Sequence, residues 1–322
     1  MNRVGVGIST WKRPDDLRNC LTLLYNQIDP STGLQYPFDI FIVDNCSKDE
    51  TEEVIQSFGL IKGVEYCIMP HSDFSAIHTI NLALRNLFND LIIILDDDTW
   101  LDDPLILHKL VETADIDPNI AVVACNVRNC QGAISFILKT PQFDATDYHH
   151  VSKEPVFDID DFSGACALFR REFVGPTYYD NSFKLYWNEP ELALRMIAQG
   201  HRVVINQRAI VIHGSDVGRE SCKSFYYGSR NTFRLMTKIL GKKQCLVLSS
   251  VLIPMHLRRY LSMNKEKNFW KYLPKVIYSH VQGLYRCVFA KRIIFKDYND
   301  YRRVQNTYLK YYLKEILLAL DR

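Results

Sequence analysis

The sequence has no run of the ~20 apolar residues that a bilayer-crossing helix needs. Its longest apolar stretches, Leu91 to Leu95 and Cys245 to Met255 with two serines inside, are far shorter, so no spanning segment is expected. The 9 cysteines include no CxxC pair and no metal-finger spacing, and their number is odd. A disulfide framework or zinc module is therefore excluded, and reduced thiols in a cytosolic protein are expected. No charged and then apolar leader precedes the first strand, so export is not expected. Internal repeats and a Gly/Ser linker are missing, and so is a Gly-rich phosphate loop with a Lys such as nucleotidyl transfer often shows. With only 14 Gly and 12 Pro in 322 residues, 47% hydrophobic and 24% charged, collagen-like and disordered classes are excluded too.

A net charge of +2 hides two opposite halves. From Met1 to Ser215 there are 17 Lys and Arg against 30 Asp and Glu, a net −13; from Asp216 to Arg322 there are 22 against 7, a net +15. The second half should be drawn to something anionic, a phospholipid surface or nucleic acid.

Short apolar runs alternate with amphipathic segments. Val4 to Ile8, Phe38 to Val43, Val64 to Met69 and Leu91 to Leu95 read as strands, with helices over Asp15 to Asn26, Glu50 to Phe58 and Ser75 to Leu87. This is the pattern of a mostly parallel α/β sheet with helices on both faces. A helix and strand follow between Asp102 and Arg128, then a loop-rich stretch to about Asp161. Ser163 to Phe169 reads as a strand, Glu189 to Gln199 as a helix, and Val203 to Ile205 and Ala209 to Ile212 as two short strands. Beyond residue 216 the texture is helical, rich in Tyr, Lys, Arg and Leu. Two domains are expected, 1–216 and 217–322.

Ligands of such sheets bind beyond the carboxyl ends of the strands. The residues there are Ser9-Thr-Trp-Lys-Arg13, Asp44-Asn-Cys-Ser47 and Asp96-Asp-Asp98. Three successive carboxylates repel one another and suit Mg2+ or Mn2+, which prefer oxygen ligands; an Asp-rich helix start is the plainer reading. His213, at a strand end before Gly214, is either a further ligand or a hydrogen-bonded structural residue. Glu189 and Glu191 open a helix with Pro190 between them. Trp187 beside them could stack on a sugar and raise a carboxylate toward a useful base; alternatively both acids only complement the helix dipole. Asp44 is a ligand contact or a turn former.

The ordered set Ser9-Thr-x-x-Arg13, Val43-Asp44-Asn-x-Ser47, Leu95-Asp-Asp-Asp98, Gly164-Ala165, Trp187-x-Glu-x-Glu-Leu-x-x-Arg195 and His213 resembles family 2 glycosyltransferases of the GT-A fold. It is most similar to the rhamnosyl and galactofuranosyl transferases of bacterial surface polysaccharide synthesis, over about residues 3 to 216. The resemblance implies an inverting transfer from a nucleotide-sugar to a glycan or lipid-linked acceptor. It places Thr10, Arg13, Asp44, Asn81 and Asp97 at the donor, Asp96, Asp98 and His213 at Mn2+ or Mg2+, Glu189 as base and Glu191 at the acceptor. Arg230, with Tyr226 and Asn231, matches an Arg-Asn pair near donor phosphate or acceptor. Three positions depart from the family pattern: Asn188 replaces the first acid of the pair, Glu189 replaces Asp, and Ser72-Asp-Phe-Ser75 lacks a glycine.

For the basic half, interleaved aromatics and cations suit an anionic membrane, giving a cytoplasmic protein peripheral on the inner face of the membrane. A homo-oligomer contact is the alternative, and nucleic acid is disfavoured. Two other functions remain open from the residues: a nucleotidyltransferase, and a non-catalytic nucleotide- or membrane-binding module, the latter favoured by Asn188.

Overall fold

The computed structural model describes residues 3–59, 64–68, 76–133, 154–174, 178–214, 221–265, 268–289 and 292–320. The chain forms two compact units, one of residues 1–181 and 201–217, the other of 182–200 and 218–322. The boundary expected at residue 216 and the Ser72 to Ser75 turn lie outside the described residues.

The first unit runs β1 (Val4–Thr10), α1 (Pro14–Tyr25), β2 (Ile28–Asp29), β3 (Leu34–Gln35), β4 (Asp39–Asp44), α2 (Thr51–Phe58), β5 (Val64–Ile68), α3 (Ala76–Asn86) and β6 (Leu91–Asp96). It continues with β7 (Thr99–Trp100), α4 (Ile106–Ile116), β8 (Ile120–Arg128), β9 (Val156–Asp158), β10 (Cys166–Arg170), the single turn α5 (Arg171–Val174) and β11 (Arg202–His213). The main sheet has the order β5-β4-β1-β6-β10-β8-β11-β7, with β9 on β11. Neighbours from β5 to β6 are parallel, as are β8 and β11; β10 is antiparallel to both β6 and β8.

Leu91 to Leu95 are all buried, as expected of a strand covered on both faces. In the neighbouring strand β1 Gly7 lets α3 come close: a Cβ there would lie 2.8 Å from Ile94 Cδ1 and 2.9 Å from Ala83 Cβ. Helix α1 starts at Pro14 and carries Asp15 and Asp16 in its first turn, where proline and acid are both favoured. It buries Leu17, Cys20, Leu21 and Leu24, each leucine contributing about 1.5–3 kcal/mol of burial.

The structure departs from the sequence reading twice in this unit, once by correcting it and once by adding a strand that was not read. The two short strands expected after residue 202 are one strand, β11, whose register against β8 shifts between Asn206 and Ile210. The bulge absorbs Gln207 and Arg208, polar residues that read as a break. The other is β7: only two residues long, it has no signal of its own, and it pairs with the far strand β11.

The second unit contains α6 (Asn188–Ala198), α7 (Cys222–Ile239), α8 (Lys242–Ser262), α9 (Phe269–Phe289) and α10 (Tyr298–Leu320). Helix α7 begins at a reciprocal cap between Ser221 and Ser224. Helices α7 and α9 pack closely at Gly283, where a Cβ would lie 2.7 Å from the Phe233 ring. Sequence reasoning placed residues 182–200 with the sheet; here they group with the C-terminal helices.

Candidate active site

Pairing register assembles the first unit's site. Parallel alignment sets Thr10 of β1 opposite Asp44 of β4, and Ser9 opposite Asp96 of β6. Three strand ends thus bring their polar residues together at one edge of the sheet. His213 arrives by another route. Only Asp97 and Asp98 separate β6 from β7, and β7 pairs Thr99 with His213 at the end of β11. An imidazole 115 positions after Asp98 in the chain therefore stands beside it.

The next residue makes the approach possible. Gly214 N donates to Asp98 O at 2.7 Å, and a Cβ on Gly214 would lie 3.2 Å from that same oxygen and 3.1 Å from the Trp100 ring. Gly214, Thr99 and Trp100 are the residues sequence reasoning missed. The Gly after His213 was the available signal.

Nε2 of His213 lies 3.1 Å from Asp98 Oδ1 and 3.7 Å from Asp96 Oδ2. One ligand atom from each of the three residues falls within 4.8 Å of the others. Arg13 Nη1 donates to Asp98 Oδ2 at 2.6 Å and to Asp97 Oδ1 at 3.0 Å, while Thr10 Oγ1 donates to Asp97 Oδ2 at 2.8 Å. So Asp97 turns toward Thr10 and Arg13, and its two neighbours share His213. At Asp44 the carboxylate is buried and accepts from the Ser47 backbone N–H and hydroxyl.

Electrostatics follow from this crowding. Burial raises the Asp96 carboxyl above its ordinary range, and the Asp98 charge adds to it. Asp97 is pushed up to about 6 by burial, against the pull of Arg13 and the Thr10 hydrogen bond. Burial acts on Asp98 too, but the His213 hydrogen bond and charge outweigh it and hold that carboxyl low. In the same way burial disfavours charged His213, yet Asp98 and Asp96 raise its pKa. Burial lifts Asp44 despite Ser47. Two carboxylate oxygens and an imidazole nitrogen, with excess negative charge around them, form the donor set that a hard divalent cation takes.

Asn81 is expected at the donor. It is buried, and its amide is engaged within the first unit: Nδ2 donates to Tyr179 O and Asn181 Oδ1, and Oδ1 accepts from Tyr179 N, all at 2.9 Å.

The remaining site residues belong to the second unit. Glu189 is half-buried in the first turn of α6 and accepts from Asn188 Nδ2 at 2.7 Å. Before it the backbone is left-handed at Lys184, Tyr186 and Trp187, with φ of 60°, 62° and 65°, a conformation unfavourable for side chains of this size. Residues of α7 hold that bend. Asn231, fully buried, donates through Nδ2 to Phe183 O at 2.7 Å, Leu185 O at 2.6 Å and Tyr186 O at 2.9 Å. Arg230 Nη2 donates to Ser182 O and Phe183 O at 2.9 and 2.7 Å, with its guanidinium 4.9 Å from the Tyr227 ring centroid.

Glu191 requires a correction. Expected to hold an acceptor, it is 1% exposed and accepts from Arg195 Nε at 3.0 Å and from Lys238 Nζ at 2.7 Å. A carboxylate closed off by two cations is an internal brace between α6 and α7, because removing one partner would leave buried charge uncompensated.

Comparison with known families matches residues 6–175 to Glycosyl transferase family 2. The chain belongs to that family. Over 235 residues it is 25% identical to the O-antigen biosynthesis protein RfbC of Myxococcus xanthus, covering 68% of this chain but only 18% of that protein. Among solved structures it is similar to the mannosyltransferase PcManGT from Pyrobaculum calidifontis, in complex with GDP-Man and Mn2+, with TM-score 0.56, 14% identity, and 98% and 86% of the two chains covered. It is also similar to S. aureus TarS 1–349 in complex with UDP-GlcNAc, with TM-score 0.57, 15% identity, and 95% and 91% covered. The family 2 chain thus has the GT-A fold of these glycosyltransferases.

Proposed function

We propose that this family 2 chain is an inverting, metal-dependent glycosyltransferase. It moves a sugar from a nucleotide-sugar to a glycan or lipid-linked acceptor in bacterial surface polysaccharide synthesis. The observation that supports this most is the meeting of Asp96, Asp98 and His213 beside Thr10, Arg13 and Asp44 at one sheet edge.

Asp96, Asp98 and His213 would hold Mn2+ or Mg2+. When bound, the ion supplies positive charge for a departing diphosphate. Asp44 and Thr10 offer polar atoms to base and ribose, Asp97 an acceptor for sugar or ribose hydroxyls, and Arg13, whose side chain is half-exposed, a cation for phosphate. Asn81 and Arg230 serve the donor through the segments they pin. Glu189 is the base. The Asn188 amide that donates to it orients the carboxylate that takes a proton from an acceptor hydroxyl. Attack from the face opposite the leaving group inverts the anomeric centre. Glu191 contributes by bracing α6.

UDP with galactofuranose or another hexose is the first choice of donor, and dTDP-rhamnose the second. The basic second unit is assigned to an anionic membrane, with the enzyme peripheral on it. Thermal-shift measurements with UDP, dTDP and GDP, each with Mn2+, will show which nucleotide binds. Donor turnover should fall to background in EDTA and return with Mn2+; equal turnover with and without chelator removes the metal from the reading. The product's anomeric configuration by NMR decides inversion.

A further inference from the structure

Helix α9 is apolar on two sides. Its inward side buries Phe269, Val276, His280, Gly283 and Cys287. On the outward side Trp270, Ile277, Tyr278, Val281, Tyr285 and Phe289 are exposed, Trp270 by 77%, Tyr285 by 64% and Phe289 by 65%. Their positions recur at helical spacing over the full 21 residues, a stripe about 30 Å long. Soluble surfaces rarely leave so extended an apolar patch to water.

Charge flanks the stripe on one side only. At 100° per residue, Lys271, Lys275 and Arg286 fall along one edge of it, and α9 contains no Asp or Glu. Between Ser221 and Lys296 the sequence holds a single acid, Glu266, among Lys and Arg throughout. No described helix is long and apolar enough to cross a membrane. An apolar face with Trp and Tyr along it and cations at its edge matches a helix lying in the headgroup layer, where the aromatic rings find an amphipathic setting and the cations find phosphate. A second copy of the chain fits less well. Self-complementary packing of this face would set the same cations near one another with no acid on the helix to answer them.

We infer that the outward face of α9 is an in-plane anchor for an anionic bilayer. This rests on the membrane assignment of the basic unit, not on the transfer chemistry. The test is flotation of the full chain with phosphatidylglycerol-containing vesicles and with pure phosphatidylcholine vesicles, at low and high salt. The chain should float with the anionic vesicles and release in high salt. The pair Ile277→Glu and Val281→Glu should weaken binding at least about tenfold, and Lys271→Glu with Lys275→Glu should remove the preference for anionic lipid. Leu34→Glu, an equally drastic change at an exposed residue of the first unit, should bind as wild type. All these side chains are exposed, so unchanged melting and unchanged hydrolysis of a soluble donor will separate loss of the anchor from failure of the catalytic reading. No flotation of the wild type, or equal flotation of the stripe variant, overturns the inference. So does a lipid-free oligomer in analytical ultracentrifugation that Ile277→Glu converts to monomer.

Discussion

At the scale of single residues, two neighbouring carboxylates separated by one position do different work from the one between them. Asp96 and Asp98 share His213, while Asp97 is taken by Thr10 and Arg13. Replacing Asp98 or His213 with Ala should therefore abolish the Mn2+-dependent part of the thermal shift with nucleotide, whereas Asp97→Asn should keep it and weaken donor affinity. Glu189→Gln should lower turnover by about 100- to 10,000-fold, the usual contribution of a general base, with the nucleotide thermal shift unchanged; wild-type rates in that variant would remove Glu189 as base. Gly214→Val should cost about 1–3 kcal/mol by overpacking, since its Cβ would press on Asp98 O and Trp100, and a melt measures it. Asp96 to Asp98 and His213 could be read from residue types at strand ends only as separate candidate ligands, and the family resemblance is what joined them as one set. Glu191 could not be read as a brace, because Arg195 is one helical turn away but Lys238, its other partner, is 47 positions later.

Elements decide what the residue scale leaves open. The bend before α6 holds three left-handed residues because one amide, Asn231 Nδ2, meets three carbonyls. Asn231→Ala removes that donor, leaving Phe183 O to Arg230 Nη2 alone and taking the Asn231 bond from Leu185 O and Tyr186 O, and should cost about 1–3 kcal/mol. If the bend aims Glu189, the same variant lowers kcat more than it raises KM for the donor, and Asn231→Leu does so too. A loss of stability with unchanged kcat would confine Asn231 to folding. Nothing local announces this bend: Lys184, Tyr186 and Trp187 are not residues that favour positive φ, and their support comes from a helix whose own sequence is an ordinary amphipathic one. Element types fared better than extents. Apart from the two-residue β2 and β3, the strands and helices from Val4 to Leu95 follow from periodicity, but β7 and the bulge in β11 depend on partners far along the chain.

On the whole-molecule scale the chain is a polyampholyte with a sheet unit bearing acid at its strand ends and a helical unit bearing cations. The helical unit also contains a pH-sensitive core. His280 is buried, donates from Nδ1 to Val276 O at 2.6 Å and stands 3.3 Å from His256 Nδ1, with Phe233 edge-on to both rings. Burial lowers both imidazoles, His256 from 6.5 to about 3, where the neighbouring His280 and Arg259 charges also act. The unfolded chain therefore binds more protons between these values, so this share of stability is complete above about pH 6.5 and is lost as pH falls toward 3. Thermal melts should show Tm declining over that window, and His256→Gln should flatten the decline.

By itself the sequence determined the kinds of element, the strand-end chemistry and the opposition of charge between the halves, because hydrophobic period and residue type act over a few positions. Only tertiary structure decided that His213 reaches Asp98, that Glu191 is sealed by Lys238, that residues 182–200 group with the C-terminal helices, and that α9 keeps a second apolar face in the open. Each of these depends on which distant segment occupies the neighbouring space, and pairing register and side-chain packing settle that after the chain has closed on itself.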